Sequence, residues 1–384
     1  MRRISVILVS ALLTLLLPCR AQAVQLDIGG KSALLMDVPT GTILYEANAH
    51  EPLAPASVTK VMTMLLIMEA IDAGKIGWDD TVTASETAAA KGGSQVYLKV
   101  GETMTVTDML KSIAVSSAND CACAMAEYIS GSEAAFVELM NSRAKELGMN
   151  DTHFVNCTGL DDSEEAKNHR TSAHDIALMS RQLMKYHPEI KKFTTIWMDS
   201  VRNGAFGLSN TNKMVRFYDG ATGLKTGFTS GAGYCLSATA ERDGLELIAV
   251  VMGAESSKVR FQACKAMLDH GFASYALIQS DLCEAGTVPV ILGKSASVEP
   301  RMGEEAQLLI SKDQKSSVTT DIQLEESLPA PVSQGQRVGT MTIRAGEQIL
   351  RQIPLVAAQG VERLTYGDIF TGVLRRAAMA RTAA

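Results

Sequence analysis

The chain has 384 residues, with 36 basic and 42 acidic side chains, a formal net charge of −6 and 46% hydrophobic residues. This charge balance, without a basic stripe, argues against a nucleic-acid partner. The length and apolar content suffice for a substantial core and favour two domains over one.

Residues 1–23 have the pattern of an export signal. An apolar run over 6–17 follows two arginines, and Ala21-Gln22-Ala23 offers the small residues that a signal peptidase accepts. We therefore expect a mature chain that begins near Val24 and acts outside the cytoplasm. Lipid attachment at Cys19 is an alternative, but a proline precedes that cysteine. An uncleaved anchor is the other alternative, and the apolar run is short for it.

Removal of this segment leaves six of the seven cysteines. An even number permits disulfides in an exported protein. However, Cys121 and Cys123 lie in an alanine-rich stretch with helical character, and the other cysteines lack metal-ligand spacing. We therefore predict buried thiols rather than disulfides or a metal site.

The part from 24 to 280 has the pattern of an α+β domain. Two apolar segments flank a Pro-Thr-Gly turn at 39–41 and predict a pair of strands. Helices are predicted over 57–73, 107–129, 133–147 and 173–186. The runs "AGYCLSATA" and "LELIAVVMGA", separated by a charged turn, then predict a hairpin at a sheet centre. This order indicates an antiparallel sheet covered by helices.

After an amphipathic stretch over 260–275 the composition changes. β-branched residues, glycines and prolines delimit short alternating segments, which predict a separate small all-β domain over 281–363. The segments that we read as strands are 288–292, 307–311, 318–324, 337–344 and 349–356. We expect this domain to be a spacer or an interaction module.

The last segment, 364–384, predicts a helix with two different faces. Its apolar side chains are Ile369, Phe370, Val373, Leu374 and Ala377, and its arginines are Arg375, Arg376 and Arg381. This pattern is typical of a helix that lies on an anionic membrane surface. Two glycines weaken the prediction, so a terminal helix packed on its own domain stays an open alternative.

The stretch "ASVTKVMT" contains a Ser-x-x-Lys pair at the start of a long apolar helix. Residues three apart face the same way on a helix, so Lys60 can reach the Ser57 hydroxyl. If burial makes the neutral amine accessible, Lys60 can accept the serine proton. A second pair, Ser142 and Lys145, lies in the polar stretch "NSRAKELG", where a solvated helix face is expected.

Two further motifs follow in chain order: Ser117-Ala118-Asn119, and Lys225-Thr226-Gly227 before an apolar strand. Together with Ser-x-x-Lys they form the signature of penicillin-binding proteins and serine β-lactamases. The stretches "ASVTKVMT", "SSANDCACAMAEYISG", "KTGFTSGAGYCLSATA" and "LIAVVMGA" resemble low-molecular-mass penicillin-binding proteins, which are serine-type D-alanyl-D-alanine carboxypeptidases. The resemblance implies a transpeptidase domain of the penicillin-binding-protein and β-lactamase type, followed by a small β-domain and a C-terminal helix. In such proteins this helix holds the catalytic domain near the outer face of the cytoplasmic membrane.

The resemblance also implies roles for the motif residues. Ser57 would attack the peptide carbonyl and Lys60 would take its proton. Ser117 would relay that proton to the leaving amine, and Asn119 would orient Lys60 and the substrate amide. Lys225 would add positive charge that keeps Lys60 neutral and attracts the anionic substrate.

Other residues would surround the reacting bond. Gly227 would let the substrate backbone approach the strand closely. The backbone amides of Ser57 and Phe228 would form the oxyanion hole. Candidate donors to the free carboxylate of the substrate are Thr226, Thr229 and Arg260, and Arg202 matches a second substrate-binding arginine near the active site of the family. The expected substrate is the peptidoglycan stem pentapeptide, with β-lactams as inhibitors and no cofactor or metal.

Three rival functions have less support from the sequence. A β-lactamase would need a carboxylate base, and Glu164 has a Glu-x-x-x-Asn spacing with Asn168, but its charged surroundings lack the expected proline and predict a solvated loop. A non-catalytic binding protein would have lost Ser57 or Lys60, and both are present. A metallocarboxypeptidase lacks support because the histidines show no His-Glu-x-x-His pattern; they include His153, His169, His174, His187 and His270.

Overall fold

A computed structural model describes residues 26–279, 282 and 285–380. The predicted signal segment 1–23, the proposed boundary at 281 and Arg381 lie outside the described residues.

The first part of the chain contains nine strands and nine helices among its described residues. The strands are β1 (Ser32–Asp37), β2 (Ile43–Ala47), β3 (Thr81–Thr83), β4 (Thr103–Thr105), β5 (Met198–Val201), β6 (Phe206–Ser209), β7 (Ala221–Thr229), β8 (Gly233–Arg242) and β9 (Leu245–Ala254). The helices are α1 (Lys60–Asp72), α2 (Glu86–Ala89), α3 (Val106–Ser116), α4 (Asn119–Ser130), α5 (Glu133–Glu146), α6 (Ala173–Tyr186), α7 (Lys191–Thr194), α8 (Met214–Phe217) and α9 (Ser257–Ser274). Three 3-10 turns lie at Ala56–Thr59, Glu165–Asn168 and Pro188–Ile190.

A five-stranded antiparallel sheet in the order β2-β1-β9-β8-β7 forms the centre of this part. Side chains alternate between its faces, so that Leu34 packs on the face of α1 while Leu35 packs on the face of α9. Because both faces are covered, β8 and β9 are long apolar runs rather than alternating ones. The prediction of an antiparallel sheet covered by helices is confirmed.

Helix α1 runs through the helical layer with every side of its first turns covered. All nine residues from Lys60 to Met68 are at most 3% exposed. A helix that is apolar all round is buried all round, which explains the unbroken run after the Ser-x-x-Lys motif. The cationic end of Lys60 is therefore held in an apolar layer.

The prediction of one helix over 107–129 is wrong. The chain breaks after α3 at Ser117, which has the left-handed conformation with φ +62°, and helix α4 begins at Asn119. The Ser117 amide caps α3 by donating to Ile113 O, and the Asn119 amide donates to Ser94 O outside both helices. Good helix formers on both sides hide this break in the sequence, and it places Ser117 and Asn119 at a corner between two helices.

The second part of the chain is β-rich. Its described strands are β10 (Tyr275–Gln279), β11 (Val288–Ile291), β12 (Ser297–Val298), β13 (Pro300–Met302), β14 (Gln307–Ser311), β15 (Val318–Leu324), β16 (Leu328–Pro329), β17 (Arg337–Ala345) and β18 (Gln348–Ala357). A 3-10 turn lies at Lys315–Ser317. The sheets have the orders β13-β18-β17-β15, β12-β11-β16 and β10-β14 around their own apolar core. The expected all-β character is confirmed. Strand β10 begins directly after α9, and the boundary at 281 stays a prediction.

The described part of the chain ends with helix α10 (Tyr366–Ala380). Phe370 is 64% exposed and Val373 is 62% exposed, and Ile369 and Leu374 are exposed beside them. The side chains of 375–380 are outside the description. None of the helices described is both long enough and apolar enough to cross a membrane.

Candidate active site

Ser57 lies on the 3-10 turn that leads into α1. Pro55 precedes the turn, and Ala56 has the left-handed conformation with φ +49°, which is uncommon for a residue with a Cβ. The turn is continuous with α1, so residues three apart share a side. Lys60 Nζ donates to Ser57 Oγ over 3.0 Å. The predicted serine–lysine pair is therefore formed, with Ser57 partly exposed and Lys60 fully buried.

Burial governs the acidity of Lys60. Its ammonium is 0% exposed and makes a second hydrogen bond, to Thr158 O over 2.8 Å. Among the described residues no carboxylate lies within 4.0 Å of its nitrogen. Desolvation lowers the pKa of Lys60 to about 7, against the opposing influence of Cys157 and Asp120. The neutral amine is thus accessible near neutral pH, as a general base requires.

Ser117 and Asn119 form one wall of the site. The hydroxyl of Ser117 is buried and has no hydrogen-bond partner among the residues described. Asn119 Nδ2 donates to Gly92 O over 2.8 Å, while Asn119 Oδ1 is buried and has no partner within the described chain. The expected contact between Asn119 and Lys60 is not formed, because the amide is fixed to the loop at Gly92 instead.

Strand β7 forms the opposite wall. Lys225 is 1% exposed and donates to Thr226 O over 2.8 Å. Burial, and then the charges of Lys60 and Arg260, hold the pKa of Lys225 well below its usual value. A Cβ on Gly227 would lie 2.6 Å from Pro55 O and 3.0 Å from the Ser57 backbone nitrogen. The strand therefore lies so close to the Ser57 turn that only glycine fits there.

The three other predicted residues near the end of β7 have different contacts. Thr226 Oγ1 donates to Thr211 Oγ1 over 2.7 Å. Thr229 Oγ1 accepts from the Ala232 amide over 3.1 Å, so it closes the turn that follows β7. Phe228 is 53% exposed and stacks on Tyr234 with ring centroids 4.3 Å apart.

Arg260 reaches this strand from α9, on the other face of the sheet. Its Nη1 donates to Gly227 O over 2.8 Å and to Cys235 O over 3.2 Å. Its buried Nε has no partner in the described chain, and desolvation lowers the pKa of the guanidinium. Arg260 therefore joins the site as a buried cation behind Gly227.

Arg202 is not brought to the Ser57–Lys60 pair. Its Nε donates to Glu102 Oε1 over 2.6 Å, and its Nη1 donates to Val96 O over 2.7 Å. The guanidinium fastens the β5–β6 hairpin to the loop before β4. These contacts do not involve Ser57 or Lys60, and a substrate-binding role for Arg202 stays a prediction.

Behind Ser57 lies a series of hydrogen bonds that the sequence does not predict. The Val155 amide donates to His169 Nδ1 over 3.1 Å, which leaves Nε2 of a neutral imidazole as the donor to Thr59 Oγ1 over 2.8 Å. Thr59 Oγ1 then donates to Ala56 O over 2.8 Å. Burial, and then the nearby His153 and Lys60, lower the pKa of His169 to about 4, so the neutral form is stable. These hydrogen bonds hold Ala56, the left-handed residue that precedes Ser57, in place.

Two further residues were missed. Thr158 supplies the carbonyl that binds Lys60, and Gly159, with φ +80°, packs so tightly that a Cβ would lie 1.8 Å from Ala56 O. A backbone carbonyl carries no sequence signal, and His169 lies 110 residues from Thr59. The Thr158-Gly159 pair in "NCTGL" was the one local signal in the sequence for a turn at this place.

The rival residues are placed away from this chemistry. The Glu164 side chain is 87% exposed and pairs with Lys167. Ser142 and Lys145 are exposed on α5. Within the described residues no group of three or more His, Cys, Asp or Glu could hold a metal ion. The five described cysteines are buried and free, namely Cys121, Cys123, Cys157, Cys235 and Cys264.

The fold and this buried serine–lysine pair define the class of serine acyl-transferases with a Ser-x-x-Lys nucleophile. The chain belongs to the peptidase S11 family of D-alanyl-D-alanine carboxypeptidases, whose family model matches residues 19–256. A second model, for the C-terminal domain of penicillin-binding protein 5, matches residues 276–363. The predicted family resemblance and fold class are confirmed.

Relatives align over most of their length. The chain is 43% identical over 339 residues to D-alanyl-D-alanine carboxypeptidase DacF of Bacillus subtilis. The alignment covers 87% of this chain and 86% of that protein. It is 33% identical over 352 residues to DacC of Escherichia coli, covering 88% and 85%. Penicillin binding protein 5 of Haemophilus influenzae superimposes with a TM-score of 0.75 at 30% identity, over 88% of this chain and 99% of that one.

Proposed function

We propose that this protein is a serine D-alanyl-D-alanine carboxypeptidase that removes the terminal D-alanine from peptidoglycan stem pentapeptides through an acyl-enzyme on Ser57. The observation that carries the proposal is the contact of Lys60 Nζ with Ser57 Oγ at 3.0 Å, made by an amine whose burial lowers its pKa to about 7. Membership of the peptidase S11 family supports the same reaction.

Acylation begins when Ser57 Oγ attacks the carbonyl carbon between the two D-alanines. The hydroxyl proton passes to Lys60 Nζ, and a tetrahedral oxyanion forms. When that intermediate collapses, the C–N bond breaks and the leaving amine takes a proton that came from Lys60. Ser117, a buried hydroxyl with no partner among the described residues, is the relay for that proton. Free D-alanine departs and an ester on Ser57 remains.

In deacylation water is the nucleophile and Ser57 Oγ is the leaving group. Lys60 accepts a proton from the attacking water and returns it to Ser57 Oγ as the ester bond breaks. Glu164 is not assigned as a base in this step, because its side chain is solvent-exposed and paired with Lys167. β-Lactams acylate Ser57 by the same attack.

The oxyanion hole is assigned to the backbone amides of Ser57 and Phe228. The close packing of Gly227 against the Ser57 nitrogen supports this, since the residue after Gly227 then borders the same space. Two donors fixed before the reaction need no reorganisation as charge develops on the oxygen.

Three buried basic residues line the site, and those that are protonated attract an anionic substrate. Lys60, Lys225 and Arg260 are all at most 7% exposed. The substrate ends in a carboxylate, which we assign to the hydroxyls of Thr226 and Thr229 and to the positive field of Lys225 and Arg260. Asn119, whose Oδ1 is buried without a partner within the described chain, is assigned to the substrate amide.

Export and membrane association belong to the same proposal. The leader-like segment 1–23 supports export. The exposed apolar face of α10, formed by Ile369, Phe370, Val373 and Leu374, supports a peripheral contact at the outer face of the cytoplasmic membrane. The β-rich part, which lies between the Ser57-containing part of the chain and α10, would act as a spacer.

Intact-mass spectrometry of the mature protein after brief exposure to penicillin tests the proposal. We expect a covalent adduct and D-alanine release from a pentapeptide in the parent and in Ser142→Ala, and neither in Ser57→Ala. An adduct without D-alanine release would contradict the carboxypeptidase assignment. Absence of both in the parent would make the chain a binding protein on an enzyme's fold.

A further inference from the structure

A pocket of about 590 Å³ opens between α8 and α9, on the face of the sheet that α9 covers. Its volume lies in the range of small-molecule sites. Ser57 and Lys60 lie on the other face of this sheet, and Arg260 reaches β7 from α9 without lining the pocket. None of the residues proposed for catalysis lines it.

The floor of the pocket is apolar and aromatic. Phe217 is 75% exposed, Phe261 is half-buried beside it, and Met214 lies beneath at 5% exposure. Phe217 also contacts Trp197 edge-on, with ring centroids 5.9 Å apart. A large aromatic side chain left open in a concave surface is typical of a site that an apolar group covers.

The rim of the pocket is cationic. Lys213, Lys258 and Lys265 line it, and the lining contains no carboxylate. Within the described residues, none of the three ammonium groups has a carboxylate within 4.0 Å. Lys258 and Lys265 are two turns apart on α9, so they lie on one face with Phe261 between them. In a chain of net charge −6 this is a local reversal of charge.

We propose that this pocket binds a small amphipathic anion. Its apolar body would cover Phe217 and Phe261, and its phosphate, sulfonate or carboxylate would lie between the lysines. Charge complementarity selects this occupant, since a cation would be repelled by the rim and a neutral apolar molecule would leave the three ammonium groups unused.

The pocket contains its own reporter. The chain has two tryptophans, so Trp78→Phe leaves Trp197, next to Phe217, as the single fluorescent tryptophan. Two probes share one apolar body: 1-anilinonaphthalene-8-sulfonate is anionic and N-phenyl-1-naphthylamine is neutral. We expect the sulfonate to quench Trp197 emission with a saturable isotherm and to bind about tenfold more tightly than the neutral probe.

Matched variants locate the binding. Lys258→Gln with Lys265→Gln should weaken sulfonate binding about tenfold and leave the neutral probe unchanged. Lys75→Gln with Lys145→Gln, which alters net charge equally at exposed positions, should change neither. Phe217→Ala should weaken both probes, which separates this pocket from dye bound to the exposed face of α10.

Several results would overturn the proposal. They are absence of quenching, equal affinity for the two probes, equal losses in the two double-lysine variants, or no loss in Phe217→Ala. D-alanine release by each variant reports that the fold is intact, since none of these residues is placed in the Ser57 site.

Discussion

The chain contains the Ser-x-x-Lys sequence twice, and the structure gives the two copies opposite environments. Lys60 is fully buried, with its nitrogen bound to Ser57 Oγ and Thr158 O. Lys145 is exposed on α5, and so is Ser142. Spacing alone lets a lysine reach a serine in both copies. Burial in the first copy lowers the pKa of Lys60 to about 7 and makes its amine a usable base.

The largest expected effect separates the two lysines. Lys60→Ala should lower the rate of Ser57 acylation by penicillin about a thousandfold, because the general base is lost. Lys145→Ala should leave the rate within about twofold of the parent. Stopped-flow acylation measures both. Equal losses of acylation rate in the two variants would contradict the claim that burial distinguishes Lys60 from Lys145.

A second effect concerns the strand that covers the first copy only. Gly227→Ala should lower the acylation rate about a hundredfold, because the new Cβ would lie 2.6 Å from Pro55 O and must displace the oxyanion donors. Gly207→Ala is the matched control, since a Cβ there meets nothing within 4 Å. If Gly227→Ala kept the parental rates of acylation and D-alanine release, the assignment of the oxyanion hole would be contradicted.

A smaller effect is expected behind the nucleophile. Thr59→Val keeps the side-chain shape but breaks the hydrogen bonds from His169 and to Ala56 O. We expect about a tenfold slower acylation and about 1–2 kcal/mol less stability. Acylation kinetics and thermal unfolding are measured together.

Thr194→Val provides the comparison for that experiment, because it removes another buried hydroxyl that donates to a carbonyl, at Thr222 O. It should lose similar stability with acylation nearly unchanged. If both variants slow acylation equally, the Thr59 hydroxyl has no positioning role for Ser57.

The smallest effect tests whether an exposed carboxylate contributes. Glu164→Gln should change penicillin acylation and adduct lifetime by less than about twofold, as expected for a solvent-exposed ion pair. Mass spectrometry of the decaying adduct measures the lifetime. A much longer lifetime in the variant would instead assign Glu164 to deacylation.

Much of the fold was predictable because the signals are local. Two apolar runs around a charged turn predicted the β8–β9 hairpin. Helix α6 begins and ends at the predicted residues, Ala173 and Tyr186. The break at Ser117 was not predictable, because the flanking residues favour helix and tertiary contacts fix the left-handed turn.

The site divides in the same way. Ser57, Lys60 and Gly227 lie in motifs whose spacing carries the chemistry, and the structure brings them together. Thr158 acts through a backbone carbonyl and His169 through a distant packing contact, so neither has a local signature. The ion pair of Arg202 with Glu102 was not predictable, because an arginine in a polar stretch does not reveal which carboxylate it will contact.

The most direct test of the central claim is the pH dependence of Ser57 acylation by penicillin, measured with and without Lys60. The base form of Lys60 must be neutral, and its pKa is about 7, so the rate should fall about tenfold per pH unit well below 7 and level off above about 8. Lys60→Ala should remove that inflection along with most of the rate. A parent rate that keeps rising toward pH 10, or an inflection near 7 that survives in Lys60→Ala, would contradict the assignment of a buried, neutral Lys60 as the base.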